Sequence, residues 1–426
     1  MSLGHQNSAD DRLGVWREAL TAVREELRSG PRIQKTPRGV ALLIVLMVLA
    51  LMSTFTAEFH YKSWVRLHVS ANQRDEVIAH YHARSAMEIA RFVINSRTVF
   101  ENVLKGLAGG QLPKGLKNQE MWQFACDFAN AFCSGEMKLF GLTFFDFKGM
   151  GGVGVEEGGF CKCRATSEEG RVGINRVDLG PDRQAVFKAL YESLVQEQNL
   201  DLALGEVDRD TAEIALNIID WADSDEQRSD LVSGSVINGV QAENLGDSSE
   251  VKNAKYDTLA EMQYVDGMTP ALYCGLAEKV TPYAVGKLNV NQANLDTMFQ
   301  LLCAFSTNAL EVCYTPSVPV ALPNGLLLQL RWMEAAMGCM DMCRTLRQGL
   351  GGKGFASAQQ FFQFLERLPP SWGQRPVLDK NTLNGMLGVK SEMVRLETVG
   401  GSYGTFKSLT SVVDTKTGEY VYYREY

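Results

Sequence analysis

The feature that most constrains this chain is a stretch of 66 residues, 40–105, that contains neither glycine nor proline. Its first 18 residues, 40–57, also carry no charge. As a helix, those 18 residues would cover about 27 Å, close to the thickness of a bilayer's hydrocarbon core. Because glycine and proline are the strongest helix breakers, their absence predicts one long helix that starts in the membrane and continues outside it.

The distribution of charge gives this helix a predicted orientation. Residues 1–39 carry a net charge of +2, whereas the whole chain carries −8, so the rest carries −10. Arg32, Lys35 and Arg38 directly precede the apolar stretch. Positive charge favours the cytoplasmic side, so the pattern predicts a single-pass protein of the inner membrane with its acidic bulk in the periplasm. The acidic bulk also argues against a nucleic-acid partner, which needs a basic surface.

The order of residues around Gly39 resembles that of type IV prepilins and pseudopilins. A secretory signal is usually cut after its apolar segment, whereas here Gly39 precedes the segment. The resemblance implies that prepilin peptidase cleaves between Gly39 and Val40 and methylates the new N-terminus. Most members carry Glu at the fifth mature position, which is Ile44 here. In lacking Glu at this position, the chain resembles the minor pseudopilin K family of type II secretion (general secretion pathway protein K). The alternative is a plain signal-anchor helix.

Downstream patterns predict an α+β fold, in which the N-terminal helix packs on a small antiparallel sheet of the pilin type. An apolar stripe at helical spacing, residues 78–92, is expected to contact that sheet. A short helix is expected over residues 119–131. Strand candidates follow at residues 138–147, 159–166, 171–177, 391–396, 411–413 and 420–425.

A large α-helical insertion is expected to divide this head. Two helices are predicted in residues 182–222, and a methionine stripe at Met333, Met337 and Met340 is expected to fill a core. The predicted domains are a leader at 1–39, the transmembrane and pilin helix at 40–105, the first part of the head at 106–180, the inserted domain at 181–376 and the closing strands at 377–426.

Four carboxylates crowd the end of the second predicted helix and suggest a calcium site. They are Asp220, Asp223, Asp225 and Glu226. Such crowding is repulsive unless the side chains are solvated or bind a hard cation, and Ca²⁺ takes six to eight oxygen ligands. The resemblance implies calcium here, assisted by a downstream acidic motif in which Glu243 matches and Asn244 replaces an Asp. The alternative is a solvated acidic helix end.

Residues 252–273 and 287–293 resemble the helix-hairpin-helix units of the same family. Gly267 allows a tight turn before Met268, and Thr269 with Pro270 is a helix start. Asn289 and Asn291 match the second motif, although Gln292 replaces its Thr. Few basic residues lie nearby, which favours a protein-binding scaffold over a nucleic-acid site.

Nine cysteines leave several pairings open, with at least one thiol left over. Cys161 and Cys163 alternate on a predicted strand and would share one face. The sequence carries no G-x-S-x-G, H-E-x-x-H or P-loop motif, and we expect no enzymatic activity.

The resemblance implies a minor pseudopilin at the tip of the type II secretion pseudopilus, which initiates its assembly and helps to export folded proteins. Expected partners are I-type and J-type minor pseudopilins, the major pseudopilin, prepilin peptidase, the inner-membrane assembly platform and the secretin channel. The alternatives are a helix-hairpin-helix component of a DNA-uptake or type IV pilus apparatus, or a signal-anchored periplasmic enzyme.

Overall fold

The structure is a computed structural model of the full chain. It describes residues 17–18, 20–25, 28, 39–96, 102, 120–134, 136–139, 142–146, 155, 158–177, 180–203, 210–242, 251–314, 318–321, 327–330, 332–349 and 354–426. By their internal contacts the residues divide into two units, Met1–Asn72 and Gln73–Tyr426.

The predicted long helix is present as α1, Gly39–Asn95. Within the described residues it is the one helix long and apolar enough to cross a membrane, as judged by length and composition. Its apolar window has a mean hydropathy of 2.5, and none of that window is buried in the protein. A helix with an uncovered apolar surface of this length fits a single-pass anchor.

The other α-helices, in chain order, are α2 (Trp122–Ser134), α3 (Gly180–Ala203), α4 (Thr211–Ala222), α5 (Pro270–Ala277), α6 (Leu295–Ala304), α7 (Trp332–Gly349), α8 (Ala358–Arg367) and α9 (Lys380–Met386). Short 3₁₀ turns occur at Glu168–Gly170, Leu259–Tyr264 and Pro370–Trp372, and a π-helix at Leu310–Tyr314.

The strands are β1 (Glu136–Leu139), β2 (Leu142–Asp146), β3 (Gly159–Ser167), β4 (Val172–Gly173), β5 (Gln227–Val232), β6 (Ser235–Ala242), β7 (Val280–Thr281), β8 (Leu288–Asn289), β9 (Val318–Ala321), β10 (Leu327–Leu330), β11 (Leu387–Gly388), β12 (Met393–Ser402), β13 (Thr405–Asp414) and β14 (Tyr420–Glu425).

The main sheet joins a strand from the middle of the chain to three from its end. Its order is β14–β13–β12–β3, and every neighbouring pair is antiparallel. In the register of β3 and β12, Ser167 lies opposite Val394 and Cys161 opposite Gly400. The antiparallel sheet expected from sequence is therefore present, and the residues between β3 and β12 form an insertion.

The face of α1 that packs on this sheet differs from the predicted one. Its buried side chains include four alanines, Ala79, Ala83, Ala86 and Ala90. A Cβ atom at Gly400 would lie 2.0 Å from the Ala79 carbonyl oxygen, so helix and strand approach backbone to backbone. Beside Gly400 the space is too narrow for a bulky side chain, and the expected stripe is exposed or half-buried instead.

Two disulfides fasten α2 to β3. They are Cys126–Cys163 and Cys133–Cys161. The shared face predicted for Cys161 and Cys163 is confirmed, because both thiols reach cysteines of the same helix. We call α1 from Gln73, together with α2, β3 and β12–β14, the head.

The insertion has an apolar core of its own, formed by buried residues between Val172 and Leu387. Met333, Met337 and Met340 are buried in it, as the methionine stripe predicts. A third disulfide, Cys303–Cys313, joins α6 to the π-helix. We call α3 to α9, with their connections, the helical domain. Its core also includes residues outside the predicted range 181–376, from Val172 before it to Leu387 after it.

Two strand predictions need correction. Of the predicted strand at residues 138–147, the described residues lie in two strands, β1 and β2, which pair with each other antiparallel. Of residues 171–177 only β4 is a strand, and it pairs in parallel with β7 of the helical domain. The residues after β4 do not continue the strand because they hydrogen-bond to the insertion. Asn175, for example, donates to the Tyr256 and Pro282 carbonyls and accepts the Tyr256 N–H.

Candidate interaction face and acidic cluster

The first candidate feature is the start of α1. Gly39 and Val40 are its first two residues, both exposed, and Ile44 is 57% exposed. A Cβ atom built on Gly39 meets no atom within 4 Å. The fold therefore places no steric requirement for glycine at this position, so any requirement there would come from an outside agent such as a peptidase.

The second is the outward face of α1 within the head. Val77 and Tyr81 are 54% and 58% exposed, one helical turn apart. Phe92 lies exposed further along, while Ile78 and Ile89 are half-buried. Apolar side chains at i and i+4 lie on the same side of a helix, so this face presents an apolar strip to its surroundings. We call it the outer strip.

Hydrogen bonds on the flanks of α1 hold the outer strip in place. His82 is buried, and its Nδ1 lies 3.0 Å from the Gly401 carbonyl oxygen. Arg91 donates to the Gly418 carbonyl at 2.7 Å, and its guanidinium lies 4.5 Å from the Tyr420 ring centre. These contacts fix the rotation of α1 on the sheet and hence the direction of the outer strip.

The third feature is the acidic cluster at the end of α4. Asp220 and Asp223 are 3% and 2% exposed, so both side chains are surrounded by protein and not by solvent. Both oxygens of Asp220 accept the Ser229 backbone N–H at 3.1 Å. Burial raises the pKa of Asp220, and the Ser229 hydrogen bonds and nearby Arg183 oppose that rise.

An arginine lies among these carboxylates, and the sequence pattern did not reveal it. Arg183, in the first turn of α3, donates to Asp223 and to the Ser229 hydroxyl. Its Nη2 lies 3.8 Å from Asp220, and its Nη1 lies 3.9 Å from Asp225. These aspartates thus lie around a guanidinium.

The described residues of this cluster do not fit a calcium site. Among them, no three His, Cys, Asp or Glu side chains are arranged to hold a metal ion. Glu226 is exposed, and Glu243 lies outside the described residues. Calcium binding stays a prediction from sequence, and the described carboxylates face a cation that the chain itself supplies.

The helix-hairpin-helix residues have structural roles in the described region. Gly267 has φ +81°, as the predicted tight turn requires, and Thr269 caps α5 by accepting the Leu272 N–H. Met268 is partly buried against the helical-domain core. The element before the turn is a 3₁₀ helix, not an α-helix.

The two asparagines of the second motif fasten distant segments. Asn289 donates to the Ser391 hydroxyl at 2.9 Å, and Asn291 exchanges two hydrogen bonds with the Phe355 backbone. The nearby basic residues are also engaged: Lys279 pairs with Glu197, and Lys287 donates to the Asn384 carbonyl. These groups serve internal contacts of the chain.

The sequence also gave no signal for the junction between the head and the helical domain. Glu168 accepts from Arg395 of β12 and from Thr281 of β7, both at 2.5 Å. Glu169 is fully buried and accepts the Met393 N–H at 3.0 Å. Burial raises the pKa of Glu169 to about 7.

No family model matches this chain, and no curated protein matches it in sequence. Among solved structures it is similar to a chain of the GspK-GspI-GspJ complex from the enterotoxigenic Escherichia coli type 2 secretion system. The identity is 14% and the TM-score 0.42, over 64% of this chain and 81% of that one.

Proposed function

We propose that this protein is a minor pseudopilin that caps the tip of a type II secretion pseudopilus, initiates its assembly and so helps to export folded proteins. The observation that carries the proposal is the make-up of α1. It begins at Gly39, has an apolar window of which none is buried in the protein, and uses an alanine face to pack on an antiparallel sheet. That combination is what a pilin-type subunit needs: an anchor and a head on one helix.

The residue at the fifth position after Gly39 supports a place at the tip. Ile44 carries no charge, whereas pilin-type subunits generally use a Glu there, thought to pair with the N-terminal amine of a neighbouring subunit. A subunit at the end of a filament has no further subunit to satisfy. An unpaired carboxylate in lipid would cost several kcal/mol, and isoleucine avoids that cost.

The outer strip supports lateral partners. Val77 and Tyr81 are more than half exposed in the head, outside the apolar window. Exposed apolar side chains arranged on one face mark a site of protein contact. We infer that I-type and J-type minor pseudopilins cover this strip and that the helical domain projects away from the filament axis, where a domain of its size can be accommodated.

Co-purification of the full chain with the two partner pseudopilins tests the proposal. We expect a complex at tens of micromolar, and Tyr81→Glu should weaken it at least tenfold because it buries a charge. Leu310→Glu is the matched control, since Leu310 is 77% exposed on the helical domain.

Two results would reject the proposal. One is a wild-type protein that remains monomeric with both partners. The other is an Ile44→Glu variant that becomes an abundant subunit along the filament shaft without any loss of secretion.

A further inference from the structure

We propose that Arg183 is the resident cation of the acidic cluster, and that its guanidinium occupies the place where the sequence pattern predicts calcium. The cluster would then hold its shape without a metal ion. The proposal concerns Arg183 and the three aspartates Asp220, Asp223 and Asp225, and it does not depend on the assignment to a secretion system.

Burial makes a resident cation necessary. Asp220 and Asp223 are almost fully buried, and Arg183 is itself 8% exposed. A buried charge is tolerated only when it is paired and hydrogen-bonded. The three side chains therefore compensate one another, and removal of the arginine would leave two buried carboxylates without their cation.

The guanidinium is bound through both of its terminal nitrogens. Nη2 donates to Asp223 and, at 2.6 Å, to the Ser229 hydroxyl, while Nη1 donates to the Asn238 amide oxygen at 2.5 Å. Asn238 in turn donates to Asp225 at 3.0 Å. The planar fork of arginine suits such a set of divergent acceptors, whereas a lysine would reach only part of it.

The same oxygens cannot serve a divalent ion at the same time. Ca²⁺ requires six to eight oxygens at about 2.3–2.6 Å. Here one carboxylate oxygen of Asp223 (Oδ2), the Ser229 hydroxyl and the Asn238 amide oxygen accept hydrogen bonds from the guanidinium, and a second positive charge a few ångströms away would be repelled. Calcium could enter only if Arg183 left.

The position of Arg183 in its helix also indicates that the aspartates hold it in place. It lies in the first turn of α3, Gly180–Ala203, where the positive end of the helix dipole disfavours a cation. The contacts with the aspartates offset this unfavourable placement. Through its hydrogen bonds, Arg183 joins α3 to the end of α4 and to the β5–β6 hairpin, which carries Ser229 and Asn238.

The test is thermal unfolding of the full chain in detergent, with EGTA or with ~5 mM CaCl₂. We expect the wild type to melt at the same temperature in both. Arg183→Met should melt roughly 5–10 °C lower in EGTA, because a buried ion network has lost its cation. Calcium should restore part of that loss, because the vacated carboxylates can then bind it.

Arg176→Met is the matched control, since Arg176 also joins a carboxylate, Asp182, and a carbonyl, that of Gly286. Its melting temperature should not respond to calcium. Equilibrium dialysis of the wild type with ⁴⁵Ca²⁺ decides the matter if Arg183→Met does not fold: no stoichiometric binding at ~1 mM supports the proposal. Calcium bound by the wild type and lost in Asp223→Asn overturns it, as does an Arg183→Met protein that melts like the wild type.

Discussion

The head and the helical domain reach stability by different means. The buried residues of the head include many alanines, and its helix α1 lies against glycine in the sheet. The helical domain fills its core with large side chains such as Phe355, Phe361 and Met298. Small side chains bury little apolar area, so the head gains less from the hydrophobic effect and has two disulfides in compensation.

This difference has a consequence for how each part tolerates change. A core of large, flexible side chains can repack around a substitution. A helix and strand in backbone contact cannot, because neither has a side chain that can move aside. The head should therefore be sensitive to added volume and to reduction, and the helical domain to loss of volume.

Removal of the head disulfides should give the largest effect. The Cys126–Cys163 and Cys133–Cys161 bonds span 37 and 28 residues, whereas Cys303–Cys313 spans 10. Closure of the first two loops is worth about 3–4 kcal/mol each when considered singly, and closure of the third about 2–3 kcal/mol. We expect Cys126→Ala/Cys163→Ala to lower the unfolding free energy more than Cys303→Ala/Cys313→Ala, as measured by urea denaturation. Equal losses would contradict the proposed contrast.

A methyl group added to the contact between α1 and the sheet should give the next largest effect. At Gly400 a Cβ atom would lie 2.0 Å from the Ala79 carbonyl oxygen and 2.4 Å from the Ala83 nitrogen. We expect Gly400→Ala to destabilise the protein by about 3 kcal/mol. In the helical domain, Gly338→Ala meets no atom within 4 Å inside α7 and should stabilise by about 0.5–1 kcal/mol. Thermal melts of both variants compare the two regions directly.

The junction between the two regions should respond to pH. The ordinary pKa of Glu169, 4.5, rises to about 7 in the folded chain because the side chain is buried. Between these values the folded chain keeps a proton that the unfolded chain releases. The contribution of Glu169 to stability is therefore greatest near pH 4.5 and falls as the pH rises to 7, by at most about 3 kcal/mol.

Glu169→Gln should remove that loss. Its amide oxygen can still accept the Met393 N–H, and it does not ionise. We expect the variant to match the wild type near pH 4.5 and to be more stable at pH 8, in urea titrations at both values. A stability difference independent of pH would show that Glu169 is not the titrating group.

A structural feature could be predicted from the sequence when the residues that determine it lie close together along the chain. Helix α1 could be predicted from the absence of breakers, and the final strands from the alternation of their residues. The packing face of α1 could not, because it depends on Gly400, which lies more than 300 residues later. A hydrophobicity pattern also gives alanine little weight, although alanine is what a close approach requires.

The candidate sites also divide into features formed by residues close in sequence and features formed by distant ones. The carboxylates around Asp220 were visible as a local cluster, but Arg183 lies about 40 residues earlier and carries no motif. Cysteine pairing is likewise a tertiary property, and nine cysteines allow many combinations. Buried charge at Glu169 gives no sequence signal, because an exposed glutamate in a turn looks the same.

N-terminal sequencing of the protein from membranes, with and without active prepilin peptidase, tests the central claim most directly. We expect Val40 to be the first mature residue when the peptidase is active, and the chain to remain uncleaved when the peptidase is absent or when Gly39 is replaced by leucine. Because a Cβ atom at Gly39 meets nothing within 4 Å, we expect Gly39→Leu to leave the fold intact and to affect recognition by the peptidase. Normal processing of Gly39→Leu, or a mature N-terminus beyond Leu51, would contradict the proposal that this protein is a pseudopilin.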